Sequence, residues 1–356
     1  APPGAINLGL GEPDFTPPPN VIEALMSAVR SNKNRYGPTA GIPELRAAVA
    51  ERLRRFCPGV DEKNVMITCG ATQGLMVIAQ TIINPGDEVL IPDPGFVLYQ
   101  RHVMLAGGIP VPYHLTQRNR FVPDLEELRS LLTPKTKAII LNYPGNPSGA
   151  VMSRKEAKAL AEFADDHDLL IISDEVYDEI VYSGEHSSML GTSENVIYVN
   201  SFSKTYALTG WRIGYLAAPA DLIPELTKMQ YYTIACPPTP MQYAVLEALR
   251  GPQDLVAERR EEFRRRRDLI TRLLLEIDGV ECLTPMGAFY VFPSFHYTAS
   301  SEELALAILK GGVICSPGSA FGPGGEGHLR FSFANSQEKI AKAMEIVAHV
   351  IATLER

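Results

Sequence analysis

At 356 residues, 46% hydrophobic and 21% charged, the chain has the balance of a globular protein longer than one hydrophobic core usually serves. No apolar run approaches the roughly 20 residues of a membrane span, and a net charge of -8 disfavours nucleic acid as a general partner. Five scattered cysteines without CxxC spacing argue against a disulfide framework or a zinc site, so a reducing cytoplasm and no metal are the expectation.

Between Val65 and Pro219 short β-branched runs alternate with amphipathic stretches, the pattern of βαβ units and a mostly parallel sheet. Strands are predicted at Val65–Thr68, Glu88–Pro92, Ile109–His114, Ala138–Asn142, Leu169–Ser173, Val196–Asn200 and Gly214–Ala218. Runs such as AIILN and LLIIS lack polar alternation, which predicts helices covering both faces of the seven-stranded sheet. Helices are predicted at Thr72–Ile83, Phe96–Ala106, Ser153–His167 and Leu255–Ile277, the third opened by Ser153 with Glu156 three residues on, a capping box. The basic stretch Arg259–Arg267, interleaved with Glu261, Glu262 and Phe263, reads as a solvated helix face. From Gly279 onward, segments such as AFYVFPSF and LRFSFA mix with helices at Glu302–Lys310 and Ser336–Leu354, predicting a smaller α+β domain.

Four segments carry chemistry. Ser201-Phe202-Ser203-Lys204 follows a predicted strand and precedes Gly210-Trp211-Arg212-Ile213-Gly214, and strand ends are where open α/β sheets place their ligands. A lysine there can form an imine with an aldehyde cofactor when burial and nearby cations favour its neutral amine, while the serine hydroxyls and Arg212 suit a phosphate. A lysine met in isolation would be a solvated surface charge. Thr68-Cys69-Gly70-Ala71-Thr72-Gln73-Gly74 joins a strand to a helix whose N-terminus favours an anion by typically 0.3 to 1 kcal/mol, although such a glycine turn can also be mere connection. Asp174, in Ser173-Asp174-Glu175-Val176-Tyr177, brings a carboxylate to the ligand edge, where it either caps the next helix or meets a pyridinium nitrogen. Opposite charges about 4 Å apart at an effective dielectric near 20 attract by about 4 kcal/mol, enough to hold such a nitrogen protonated. In Asn142-Tyr143-Pro144-Gly145-Asn146-Pro147-Ser148-Gly149, prolines and glycines fix a loop that aims Asn146.

Together with LGLGEPDF (8–15), YGPTAGIPELR (36–46), DPGFVLY (93–99), SPGSAFG (316–322) and HLRFSFA (328–334), these segments resemble the fold type I, pyridoxal-phosphate-dependent aminotransferases of class I and II, in particular the prokaryotic aspartate and aromatic branch. The resemblance runs from about Leu8 to the C-terminus. It implies a large domain over 41–250 that binds pyridoxal 5'-phosphate and a small domain from 1–40 and 251–356. Lys204 matches the Schiff-base lysine that also moves the substrate's proton, Asp174 the partner of the pyridine nitrogen, and Asn146 and Tyr177 the hydrogen-bond partners of the phenolic oxygen. Phe96 matches the aromatic stacked on the cofactor ring. The phosphate ligands would be the amides of Ala71 and Thr72, the hydroxyls of Ser201 and Ser203, Arg212, and Tyr36 reaching over from a second subunit, which requires a homodimer with shared sites.

Arg330 matches the arginine that clamps the substrate α-carboxylate, assisted by Gly11 and Asn146. The implied reaction is ping-pong transfer of an amino group from an amino acid to a 2-oxo acid, 2-oxoglutarate as acceptor. Two alternatives share the fold and the lysine: a carbon-sulfur β-lyase and a cofactor-binding sensor without turnover. Two departures from the pattern bear on details. Seven residues precede Leu8, where many relatives carry a further segment that closes over the site, and no residue matches a partner for a distal substrate carboxylate. Phe15, Thr16 and Tyr99 are expected near the substrate by position.

Overall fold

The computed structural model describes residues 2–353. At its centre is one sheet of seven strands: β1 (Val65–Thr68), β2 (Glu88–Asp93), β3 (Ile109–His114), β4 (Thr136–Asn142), β5 (Leu170–Asp174), β6 (Val196–Ser201) and β7 (Gly214–Ala217). Their spatial order is β1-β7-β6-β5-β4-β2-β3, and every pairing is parallel except the two made by β7. All seven lie where the residue pattern placed them, the largest difference being the start of β4 at Thr136 rather than Ala138. The expected burial of both faces holds for β6 and β7, whose residues are all buried, but not for β3. That strand has a neighbour on one side only and carries Pro110 and Pro112, residues that lack the N–H a central strand must donate.

Twelve helices occur among the described residues: α1 (Pro19–Arg30), α2 (Pro43–Leu53), α3 (Gly70–Ile82), α4 (Leu98–Leu105), α5 (Leu125–Leu131), α6 (Arg154–Asp166), α7 (Phe202–Thr205), α8 (Ile223–Ile234), α9 (Thr239–Arg250), α10 (Asp254–Leu275), α11 (Ser301–Gly311) and α12 (Gln337–Ala352). The box at α6 forms as expected: Ser153 N donates to Glu156 at 2.7 Å and Glu156 N to Ser153 Oγ at 3.3 Å. The expected end of the last helix at Leu354 lies outside the described residues. Helices α1, α2, α8 and α9 escaped the periodicity argument, yet each has a proline in its first turn, where the missing N–H costs nothing.

Alternation along the strands sorts the core onto two faces. Ile140 and Ile172 pack with Ile78 of α3, whereas Leu141 and Ile171 pack with Leu160 and Ala161 of α6. Each such fully buried aliphatic side chain contributes ~1.5–3 kcal/mol. A separate core brings Leu8 together with Phe263, Ile270, Phe289, Leu304, Ile340 and Met344, around the three-stranded ladder of Tyr290–Val291, Leu329–Ser332 and Ser316–Pro317. Val21 of α1 packs instead with Leu45, Val49, Ala244 and Val245, so α1 rides on the large sheet's helices although it lies within residues 1–40.

The basic stretch on α10 is not wholly solvated. Arg266 is buried, paired with Asp14 at 2.7 Å and Glu262 at 2.8 Å, and lies over the rings of Phe15 and Phe263. Asp14 and Phe15, from the other end of the chain, cover one arginine of the run, which a local charge pattern cannot reveal.

Candidate active site

The C-terminal ends of β4, β5 and β6, with the start of α3 that follows β1, line a cleft of about 310 Å³. Of the residues singled out as site residues, all but Tyr36 line it; Tyr36 is 90% exposed. Phe15 and Thr16 are elsewhere. Phe15 packs edge-on against Phe263 at 5.1 Å, and the Thr16 carbonyl accepts from Arg259 at 2.5 Å.

Lys204 sits on the single turn α7 that follows β6, and Ser201 Oγ accepts from Ser203 N at 3.3 Å to open that turn. The ammonium Nζ donates to the carbonyl of Gly11 at 2.6 Å. Burial is the main cause that brings its pKa down to about 8; Arg212 and Arg330 push the same way, and Glu12 and Asp174 oppose them. Glu12 in turn accepts a hydrogen bond from Thr209 Oγ1.

Asp174 ends β5 in a fully buried position. Its Oδ2 accepts from Tyr99 Oη at 2.7 Å, its Oδ1 from Val176 N at 3.4 Å, and its main-chain carbonyl from Asn142 Nδ2 at 2.9 Å. Burial raises the carboxyl to about 6 against the hydrogen bonds from Tyr99 and Val176, so it is still mostly ionised at neutral pH. Asp174 thus faces the cleft rather than capping a helix. Tyr177, three residues on, is buried with its Oη 2.8 Å from Tyr290 Oη. Phe96 precedes the first turn of α4 and meets Tyr99 edge-on at 5.6 Å.

An anion cradle closes the other end. Helix α3 begins at Gly70, two residues before the expected start, so the amides of Ala71 and Thr72 lie in the first turn, where an N–H has no partner within the helix. Gly70 has φ +74°, and a Cβ there would stand 2.5 Å from Arg212 Nη2. Gly214 is equally constrained: a Cβ would meet Ala71 N at 2.7 Å. The two glycines let the guanidinium, the helix start and the first residue of β7 close on one another. Arg212 is left-handed at φ +55° and donates Nη1 to the Thr209 carbonyl at 2.8 Å.

Arg330 is 8% exposed and lies against the rings of Tyr290 and Phe321, 4.5 and 4.8 Å from their centroids. It donates Nη1 to Asn146 Oδ1 at 2.9 Å and Nη2 to the Gly9 carbonyl at 2.5 Å and Ser316 Oγ at 3.3 Å; Nε has no partner. All three partners are neutral oxygens. A buried guanidinium of this kind is an incomplete ion pair that a ligand carboxylate would complete.

The residue pattern did not single out Tyr290, Gly9, Leu10 or Thr209, all of which line the cleft, and it gave Tyr99 no partner. Tyr99 is three residues after Phe96 on the same stretch, a spacing that was available as a signal. Nothing local distinguished Tyr290 within AFYVF, because its orientation follows from a pairing with strand Leu329–Ser332. Among the described residues no group of three or more His, Cys, Asp or Glu side chains could hold a metal ion.

Comparison with known proteins places this geometry. The family model described as aminotransferase class I and II matches residues 3–347. A probable aspartate aminotransferase of Methanocaldococcus jannaschii is 44% identical over 352 residues, 97% of this chain and 93% of that protein. An aromatic-amino-acid aminotransferase of Thermococcus litoralis is 42% identical over 98% of this chain and 92% of its own. The solved aspartate aminotransferase from Thermus thermophilus with maleate superposes with a TM-score of 0.94 at 39% identity, covering 98% of this chain and 92% of that one.

Proposed function

The chain belongs to the class I and II aminotransferases, and we propose that its cleft seats the cofactor of that family between Lys204 and Asp174 with a substrate carboxylate on Arg330. It is a pyridoxal 5'-phosphate-dependent enzyme that moves an amino group from an amino acid to a 2-oxo acid. The residues fit the cofactor on structural grounds. A buried amine of lowered basicity, a buried carboxylate and a cradle whose two glycines leave no room for a Cβ match an aldehyde, a ring nitrogen and a phosphate.

When bound, pyridoxal 5'-phosphate supplies an aldehyde that condenses with amines and a conjugated ring that accepts the electron pair left when a Cα proton departs. The protein's own groups do the rest. Ala71 and Thr72 amides, Ser201 and Ser203 hydroxyls and Arg212 would hold the phosphate, and Phe96 would pack on the ring. Asp174, mostly ionised at neutral pH and held by Tyr99, would keep the ring nitrogen protonated. Tyr177 and Asn146 would donate hydrogen bonds to the phenolic oxygen. Arg330, with Asn146 and the backbone at Gly11 beside it, fixes the amino acid by its carboxylate, which aims the Cα–H at Lys204. Lys204 Nζ, whose basicity burial lowers to about 8, is the base on this cleft that would take the proton from the substrate's Cα.

The reading extends to a homodimer, in which exposed Tyr36 reaches the phosphate of the partner's site, to a small unit closing over the cleft, and to a cytoplasmic setting with 2-oxoglutarate as acceptor. The observation that carries it is the buried Arg330, with only neutral partners, on the same cleft as Lys204. The relatives named above transfer amino groups to or from aspartate or aromatic amino acids by name, so the test uses both classes of donor. Purified enzyme with cofactor is titrated with a single amino acid and no oxo acid while its visible band is followed. We expect the band to disappear as one equivalent of oxo acid forms, and to return on adding 2-oxoglutarate. Continuous release of ammonia without an acceptor would instead establish a lyase.

A further inference from the structure

Three separate parts of the chain meet at the hydroxyl of Tyr290. The residue is 1% exposed and belongs to strand Tyr290–Val291, where it pairs with Ser332 across the ladder. Arg330 is two residues from Ser332 and therefore projects from the same face, a diagonal neighbour of Tyr290. The contact follows: the guanidinium carbon of Arg330 stands 4.5 Å from the Tyr290 ring centroid. The other end of the same side chain lies in the large sheet's territory, its Oη 2.8 Å from Tyr177 Oη. The N-terminal segment completes the enclosure, since a Cβ on Gly11 would stand 2.1 Å from Tyr290 Oη. Burial raises the pKa of both phenols, so each keeps its proton and can donate a hydrogen bond.

We propose that Tyr290 is a positioning residue with two separable duties: its ring supports the carboxylate-binding guanidinium of Arg330, and its hydroxyl donates to Tyr177. This rests on the assignment of Tyr177 to the cofactor's phenolic oxygen. If Tyr177 spends its one proton on that oxygen, its own oxygen is left as a buried acceptor, and Tyr290 is the donor within reach. A phenol that accepts a hydrogen bond is a stronger donor, so Tyr290 favours the anionic phenolic oxygen through Tyr177. A single side chain thereby links the group that reads the substrate's carboxylate to the group that sets the cofactor's protonation.

The two duties are separated by two variants of the holoenzyme. Tyr290→Phe keeps the ring and removes the hydroxyl; the pH midpoint of the bound cofactor's visible band should rise by about half a unit, with KM for the amino acid changed less than about twofold. Tyr290→Leu removes the ring as well, and KM should rise about tenfold. The upward shift should vanish when Tyr290→Phe is made in a Tyr177→Phe background, which a general loosening of the site would not do. Should Tyr290→Phe fail to fold, Gly11→Ala displaces the same hydroxyl with the tyrosine intact and should reproduce the rise. An unmoved midpoint in Tyr290→Phe and Gly11→Ala would overturn the hydroxyl's role, and equal KM in the Phe and Leu variants would overturn the ring's. Were Tyr177→Phe alone to leave the midpoint unchanged, the fault would lie in the assignment of Tyr177, and the proposal would fall with it.

Discussion

Asp174 and Glu175 are consecutive, both buried, and opposite in their surroundings. Glu175 points into a network of satisfied charge: it accepts from Ser173 Oγ at 2.8 Å, Ser188 Oγ at 3.0 Å and Met189 N at 3.0 Å, and pairs with His186 at 2.5 Å. Burial opposes the charge on His186, but Glu175 and Asp178 outweigh it and raise its pKa above the ordinary range. Next to this network Asp178 takes Arg52 at 2.9 Å and Arg55 at 2.7 Å, and Glu179 takes both as well. On the cleft side, by contrast, Lys204, Arg212 and Arg330 rest on neutral oxygens, and Asp174 holds only a phenol and an amide. Both regions are dense in buried charge. Where each charge has its opposite the residues hold elements together, here α2 against the segment after β5; where they lack one, they are arranged for a ligand that brings it.

Substitutions should therefore behave differently on the two sides. The largest effect is expected from Lys204→Ala, about ten-thousandfold or more in kcat/KM for amino-group transfer with the folded state intact, as read by steady-state kinetics and urea denaturation. A loss under tenfold would remove the cleft side of the contrast. On the paired side, Asp178→Ala leaves Arg52 and Arg55 with one carboxylate between them and should cost about 4 kcal/mol in urea denaturation, while kcat/KM of the folded enzyme changes less than about threefold.

Asp174→Asn should do the reverse of Asp178→Ala. Burial raises the carboxyl to about 6 from its ordinary 3.8, so the folded protein binds more protons than the unfolded chain between those values and loses stability as pH rises through them. Removing the charge should stabilise the cofactor-free protein by about 3 kcal/mol at pH 7, a gain that fades as pH falls from 6 to 4. Thermal melts at the two ends of that window measure it; a destabilised Asn variant would mean that Asp174 is already paired. The smallest of the four is Arg330→Lys, which keeps the charge but loses the planar fork. A fall of about a hundredfold in kcat/KM, most of it in KM, is expected from initial rates.

Much of this contrast was legible before any coordinates. The apolar runs AIILN and LLIIS mark β4 and β5, and the residues that follow such strands lie at the ligand edge, which is why Asn146, Asp174 and Lys204 could be read directly. What escaped depends on partners far away in sequence. Tyr99 becomes informative only when β5 brings Asp174 to it, and Tyr290 only when its strand is registered against Arg330. The burial of Arg266 needs Asp14 and Phe15 from the other end of the chain. Helices α1, α2, α8 and α9 were not read, although Pro19, Pro43, Pro224 and Pro240 stand as start signals at their first turns.

The reversed direction of β7 constrains how this protein can be varied. Ser201 at the end of β6 is paired across the ladder with Gly214 at the start of β7, so the chain that leaves the rim at one returns to it next door at the other. Residues 202–213 form a closed loop on two anchored feet, and both Lys204 and Arg212 ride on it. Their separation is therefore written into the length of that loop. Libraries that insert or delete residues there should yield folded chains with no activity.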